Sequence, residues 1–230
     1  MSDAGRTVIP IHDGYRIFPG VFSRGQMCEV LDQLGSAQLG RSKAGARHIL
    51  GVPAVRELAE HARMQEIASG FIAAAAVPFR ATLFDKSSAS NWLVAWHQDT
   101  ALPVRRRHES TGWGPWTMKA GVLYAHAPAS ALEQVVALRV SLDHSLPENG
   151  PLRVLPDTHR SGVLTDEQIQ RLAREITPVD CVAESGSVVA MRPLTVHASS
   201  KAASEQPRRV LHIEYAARID WGDGIELQVT

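Results

Sequence analysis

The stretch Trp96-His97-Gln98-Asp99 is the most informative part of this chain for chemistry. In a β-strand, residues i and i+2 face the same side. A strand here sets the imidazole of His97 beside the carboxylate of Asp99. That is two-thirds of a 2-His-1-carboxylate set, which binds one face of a metal and suits iron(II) with its mixed nitrogen and oxygen donors. Taken alone, His-x-Asp is common by chance and reads better as a strand end with two polar residues. A second imidazole follows in Met191-Arg192-Pro193-Leu194-Thr195-Val196-His197, where His197 closes a mostly apolar run. If buried, it needs a partner; a satisfied core histidine is the plain alternative.

Eleven residues beyond His197, Arg208 opens the last strand-like segment. Alternation places Leu211, Ile213 and Tyr215 on one face, and Arg208, Val210, His212 and Glu214 on the other. In a barrel covered outside by helices, the apolar face packs against them and the polar face lines the interior. Arg208 then lies near the metal, where a guanidinium can grip the far carboxylate of a dicarboxylate. Arg209 points away as a surface charge. His212 shares the face of Arg208 and lines the pocket or is a buried, hydrogen-bonded histidine.

The elements that must position these residues fall into two parts. Residues 1–78 are largely helical after a short strand at 14–18. Ser23 caps a helix ending near Leu34 with Gly35 as its stop, Pro53 opens a second helix to about His61, and residues 63–76 form a third. Residues 79–216 are strand-rich, with segments at 79–84, 91–99, 135–143, 179–182, 187–191 and 208–216 divided by Gly, Pro and Asn turns. Thr165 caps the one helix among them, which runs to about Arg174. The pattern predicts one mainly β domain: a jelly-roll, cupin-like core packed by N-terminal helices.

Composition narrows the function. Of 230 residues, 44% are hydrophobic, enough for one sizeable core. Lys+Arg and Asp+Glu each number 24, so no basic excess exists to neutralise nucleic-acid phosphates. The run Arg105-Arg106-Arg107 reads as a solvated loop. Two cysteines, Cys28 and Cys181, are too few for a disulfide framework or a cysteine zinc site. The start MSDAGRTVIP lacks the apolar core of a signal peptide, and the stretch 71–79 is too short to span a bilayer. The expectation is a cytoplasmic protein, monomer or homodimer, acting on a small molecule without nucleic-acid or membrane partners.

At this point the motifs resemble the phytanoyl-CoA dioxygenase family of iron(II)/2-oxoglutarate oxygenases, over roughly residues 79–216. Residues 96–99 look like the family's WHQD. Glu148-Asn149-Gly150-Pro151-Leu152-Arg153-Val154-Leu155-Pro156 looks like its NGxLxVxP segment, Val196-His197-Ala198-Ser199 like its HxS, and Pro207 to His212 like its arginine strand. The resemblance implies a double-stranded β-helix and a reaction consuming 2-oxoglutarate and O2 to hydroxylate a small organic molecule, releasing succinate and carbon dioxide. It implies His97, Asp99 and His197 as ligands of Fe(II), Arg208 on the distal carboxylate of 2-oxoglutarate, and Ser199 assisting it. Lys86 and Asn91 are further co-substrate candidates; Trp113, Trp116 and Lys119 are substrate candidates, with His212 beside them.

One departure is visible: Asp157-Thr158 stand where the family usually has Gly-Ser, before His159, which reads as a structural residue bonding a turn. Asp99 is retained, whereas related halogenases have a small residue there, so hydroxylation is favoured over halogenation, with desaturation, epoxidation and ring rearrangement left open. His12, His48 and His61 read as surface or capping residues and His144 as a turn residue; His108 and His126 lie in the insert 100–134 and read as plain loop residues first, with a place facing the substrate as the alternative. The long insert 100–134 reads as a binding loop or as a mini-core of its own aromatics. Two rivals remain open. His-x-Asp with a distant histidine also suits a cupin-type metal-dependent hydrolase or isomerase, and the same scaffold serves non-catalytic small-molecule-binding proteins.

Overall fold

The chain enters through β1 (Tyr15–Phe18) and turns into α1 (Arg24–Ser36) in a computed structural model that describes residues 13–42, 45–87 and 90–230. His12 lies outside the described residues. Ser23 caps α1 reciprocally. Its hydroxyl accepts from the Gln26 amide at 3.2 Å, and Gln26 Oε1 accepts from the Ser23 amide at 2.9 Å. Gly35 is still helical, and the helix ends at Ala37 in extended conformation. A glycine permits a left-handed exit without imposing one.

After β2 (Arg41–Ser42) and β3 (Gly45–Arg47), Pro53 opens α2 (Pro53–Glu60), where its missing N–H leaves no helical bond unmade. His61 caps α3 (Ala62–Ile72), its Nδ1 accepting from the Arg63 amide at 3.2 Å. This helix stops short of Ala76 because Ala73 turns left-handed, φ 51°.

The strand-rich part follows in order. It comprises β4 (Val77–Lys86), β5 (Val94–His97), β6 (Ala101–Pro103), β7 (Trp116–Lys119), β8 (Val122–His126), the short α4 (Ala129–Leu132) and β9 (Val135–Ser141). Then come β10 (Leu152–Val154), α5 (Asp166–Glu175), β11 (Val179–Cys181), β12 (Val188–Met191), β13 (His197–Ser199) and β14 (Arg208–Ala216). Their sheets are antiparallel: β1-β12-β9-β14-β4-β3-β2 and, facing it, β11-β10-β13-β5. The fold is therefore mainly β with a jelly-roll core.

Burial follows the alternation of β14. Leu211, Ile213 and Tyr215 join Met27, Leu34, Val55, Met64 and Phe71 in one apolar cluster, which glues the three N-terminal helices to the outer face of the large sheet. Arg208, His212 and Glu214 are buried on the inner face. The insert makes a third sheet, β6-β8-β7, whose Leu102 and Ala125 pack with Phe79, Ile225 and Leu227. Cys28 is exposed and Cys181 buried, and burial pushes the Cys181 thiol up to about 12. Among the described residues, no helix is long and apolar enough to cross a membrane.

Candidate metal and co-substrate site

β5 and β13 are hydrogen-bonded neighbours, and their register sets His97 directly opposite His197. The two rings lie 4.2 Å apart. Asp99, two residues past His97 and just beyond the strand, joins both: Oδ1 is 3.7 Å from His97 Nε2 and Oδ2 is 3.5 Å from His197 Nε2. The three donor atoms all fall within 4.8 Å of one another.

The tautomers are set from behind. His97 Nδ1 lies 2.8 Å from the Ala95 carbonyl, and His197 Nδ1 lies 2.9 Å from the Thr195 carbonyl. A carbonyl only accepts, so each Nδ1 carries a hydrogen, which leaves Nε2 as the ring atom that can ligate on the Asp99 side. Burial lowers His197 to about 4 against the pull of Asp99, so its imidazole is neutral near pH 7. Burial also disfavours the Asp99 charge, but the surrounding imidazoles and Arg80 hold its carboxyl well below the usual range. Two imidazoles and a carboxylate converging on one point form a donor set that fits a divalent cation such as iron(II).

Gln98, between the two ligands, points elsewhere and ties three loops together. Its amide nitrogen donates to Gly162 O at 2.9 Å and Leu194 O at 2.7 Å, and its oxygen accepts from Leu164 N at 2.8 Å. The side chain thus positions both the Asp99 turn and the approach to His197.

The three donors open onto a cavity of about 480 Å3 whose wall also includes Arg208, Ser199, Lys119 and His212. Arg208 is buried on β14; its Nε donates to Asn149 O at 3.2 Å, and a terminal nitrogen donates to Ser199 Oγ at 3.3 Å. Ser199 Oγ in turn donates to Gly150 O at 2.9 Å and lies 2.9 Å from Lys86 Nζ, which also donates to Ser200 O. Gly150 adopts φ +69°, and a Cβ there would sit 2.3 Å from Ser200 O, so only glycine lets the chain approach this serine so closely. Lys86 supports Ser199 from outside the cavity wall, with Trp92 under its ammonium at 5.4 Å.

Sequence reasoning missed Arg139. It lies on β9 opposite His212 on β14, is buried, and donates to His212 Nδ1 at 3.0 Å. Burial, then Arg139 nearby, brings Arg208 down to about 10, and neither arginine has a carboxylate partner among the described residues. Two buried guanidiniums facing one cavity fit a bound dianion. An arginine inside the apolar run Val135-Val136-Ala137-Leu138-Arg139-Val140 was the signal, since such a charge needs a partner. Arg80 on β4, also missed, is ion-paired with Glu214 on β14.

Four expectations require correction. Trp113 and Trp116 do not line the cavity; they pack against the apolar cluster around Leu102 and Leu227, Trp113 meeting Trp221 edge-on at 6.3 Å. Burying two indoles against apolar neighbours outweighs leaving them at a wet cavity mouth. Asn91 faces away too, its amide clasping the Ala202 backbone at 2.8 Å and 2.7 Å. His126, expected in a loop, ends β8 and lines the cavity, with Nδ1 2.8 Å from Thr100 Oγ1. At the departure from the family pattern, Asp157 adopts the left-handed φ of 64° open to glycine or a short polar residue. Thr158 then bridges Leu155 O and Val196 N, at 2.8 Å and 2.9 Å. His159 Nδ1 is buried without a hydrogen-bond partner among the described residues, rather than bonding a turn.

The family model for phytanoyl-CoA dioxygenase matches residues 12–210. The chain belongs to the phytanoyl-CoA dioxygenase family. Among curated proteins it is similar to L-proline trans-4-hydroxylase of Streptomyces griseoviridis, 29% identical over 49% of this chain and 51% of that protein. The chain thus spans about half the length of the curated relative it matches. Solved structures share the fold. EctD from S. alaskensis with bound Fe superimposes with a TM-score of 0.70 at 19% identity, covering 100% of this chain and 87% of that one. The 2-oxoglutarate-dependent epimerase SnoN from nogalamycin biosynthesis gives 0.65 at 20% identity, over 90% and 79%.

Proposed function

We propose that this member of the phytanoyl-CoA dioxygenase family is an iron(II)- and 2-oxoglutarate-dependent dioxygenase that hydroxylates a small organic substrate. One observation carries the reading: His97, Asp99 and His197 converge at the same cavity that Arg208 and Arg139 face without carboxylate partners. Metal donors and a dianion receptor share one chamber.

In this reading His97, Asp99 and His197 hold iron(II). When bound, the metal supplies the redox chemistry that couples oxidation of 2-oxoglutarate to succinate and carbon dioxide with transfer of one oxygen atom of O2 to the substrate, the other entering succinate. The protein holds and shields. Ala95 and Thr195 carbonyls keep the two Nε2 lone pairs aimed inward. Arg208 takes the distal carboxylate of 2-oxoglutarate, and Ser199, itself fixed by Gly150 and Lys86, orients Arg208. Phe84, Val94 and Leu152 line the same chamber and keep part of it dry. A cupin-type hydrolase explains the donors but leaves Arg208 and Arg139 unused.

The balance of charges and the scarcity of cysteine support a cytoplasmic setting without nucleic-acid or membrane partners. The test is anaerobic titration of iron-loaded protein with 2-oxoglutarate, following the metal-to-ligand charge-transfer band. Saturable growth of that band is expected; its absence removes the reading in favour of the cupin-type enzyme.

A further inference from the structure

The cavity wall carries five cationic side chains, Arg47, Arg80, Lys119, Arg139 and Arg208, against one carboxylate, Asp99. Glu214 behind the wall is committed to Arg80. Resting on the function proposed above, iron(II) and the 2-oxoglutarate dianion cancel each other's formal charge. Asp99 and Glu214 offset two of the five cations. The loaded chamber therefore keeps a surplus of about three positive charges, and two of the cations that carry it, Arg47 and Lys119, are exposed at its mouth where an anion can reach them.

The surplus is localised. Arg47 ends β3 and Lys119 ends β7, so two separate elements bring these cations to the same wall. Neither makes an ion pair among the described residues. Lys119 Nζ and the Arg80 guanidinium both sit over the Tyr124 ring, at 5.0 Å and 5.3 Å. The Tyr124 hydroxyl is tied to His48 Nε2 at 2.8 Å, which fixes the platform on which they stand. Arg208 and Arg139 belong to the β14 and β9 side of the chamber, so one bound dianion there leaves Arg47 and Lys119 unmatched.

We propose that the substrate is an anion whose carboxylate or phosphate is received by Arg47 and Lys119, at the part of the chamber away from Arg208 and Arg139. A cationic substrate is disfavoured, because both carboxylates within reach are already engaged. Solvated surface charge is the competing account of Arg47 and Lys119, and it predicts no preference for anions.

The test uses iron-loaded protein saturated with 2-oxoglutarate under anaerobic conditions, with binding read by calorimetry and by perturbation of the charge-transfer band. The probes are hexanoate, phenylacetate and hexyl phosphate, each against its neutral counterpart: methyl hexanoate, methyl phenylacetate and hexanol. At least one anion should bind about tenfold or more tighter than its neutral partner, as expected for a charge-assisted pair. Arg47→Gln and Lys119→Met should each abolish that preference, whereas Arg106→Gln, in the solvated loop, should keep it. The carboxylate and phosphate arms identify which head group is taken. Equal binding of anions and neutral partners, or no binding of any probe, overturns the proposal. So does a preference that survives both variants, or variants that slow only 2-oxoglutarate association, which would make the charge a steering field. Failure of the charge-transfer band to form at all would instead count against the dioxygenase reading.

Discussion

Arg209 grips Asp143 with both prongs of its guanidinium, Nε to Oδ2 at 2.7 Å and a terminal nitrogen to Oδ1 at 2.8 Å, while its backbone N–H also donates to Oδ2 at 2.9 Å. Its neighbour Arg208 faces the opposite side of the same strand, into the cavity. The pleat of β14 therefore assigns one arginine to structure and the other to a ligand. Arg208→Ala should weaken 2-oxoglutarate binding roughly ten- to a hundredfold, the loss of a charge-assisted pair of about 1.5–3 kcal/mol. Arg209→Ala should leave that affinity alone and lower stability by about 1 kcal/mol, since the pair is partly exposed. Anaerobic titration of both variants and urea denaturation separate the two effects. A large affinity loss in Arg209→Ala alone would place the register of β14 wrong by one residue.

The metal prediction follows from the facing histidines. His97→Ala and Asp99→Ala should each abolish stoichiometric iron(II) binding by anaerobically purified protein, because two donors no longer hold the metal against water. Both should still fold, as His97 and Asp99 sit at the edge of the cavity with side chains 39% and 28% exposed. Iron quantification together with circular dichroism decides this. Iron retained at wild-type stoichiometry in both variants would remove the three-residue assignment.

The outcome shows which features of the site are legible in a sequence. His97 with Asp99, and Arg208 against Arg209, are contrasts of one or two residues along one strand, and the two-residue period of a strand settles them. The pairing of Arg80 with Glu214, or of Arg139 with His212, depends on β14 lying between β4 and β9. Sheet order is set by the whole fold and leaves no local pattern. Trp113 and Trp116 illustrate a different limit: an aromatic in an insert is equally suited to a ligand or to Trp221, far away in sequence. Asn91 likewise belongs to Ala202, a contact that loop closure alone creates.

Arg80 and Glu214 form an ion pair shut inside the barrel, with side chains 10% and 2% exposed. Burial works against the Arg80 charge, but the Glu214 carboxylate beside it more than offsets this. Removing one partner strands the other in a dry site, which costs roughly 3–5 kcal/mol. Glu214→Gln should therefore destabilise the protein by about that amount, while Arg80→Met combined with Glu214→Leu should recover most of it. Denaturant titrations of Arg80→Met, Glu214→Leu and the double variant form the cycle, with Glu214→Gln measured beside them. A double variant as unstable as the worse single one would mean that the pair is held for its packing rather than its charge.

The last prediction concerns pH and Lys86. Burial first, then the nearby charges of Arg208 and Arg139, push its ammonium from the ordinary 10.5 down to about 8. In the unfolded chain it keeps its proton to the ordinary value. Between about pH 8 and 10.5 the unfolded state thus binds more protons than the folded one, so this group makes stability rise with pH across that window. Below about 8 its cost to the fold is present in full. Lys86→Met has no such term, so wild type should gain stability relative to the variant as pH rises from 8 to 10.5. The comparison cancels other groups that titrate there, including Cys181 and Tyr215, whose burial raises them and acts in the opposite direction. Saturating 2-oxoglutarate in the presence of iron(II) should shrink the gain, because a dianion beside Arg208 restores the value of a charged Lys86. Denaturation of both proteins at several pH values, with and without the co-substrate, is the measurement. Parallel curves would show that Lys86 keeps its proton throughout, held by Ser199 and the Ser200 carbonyl.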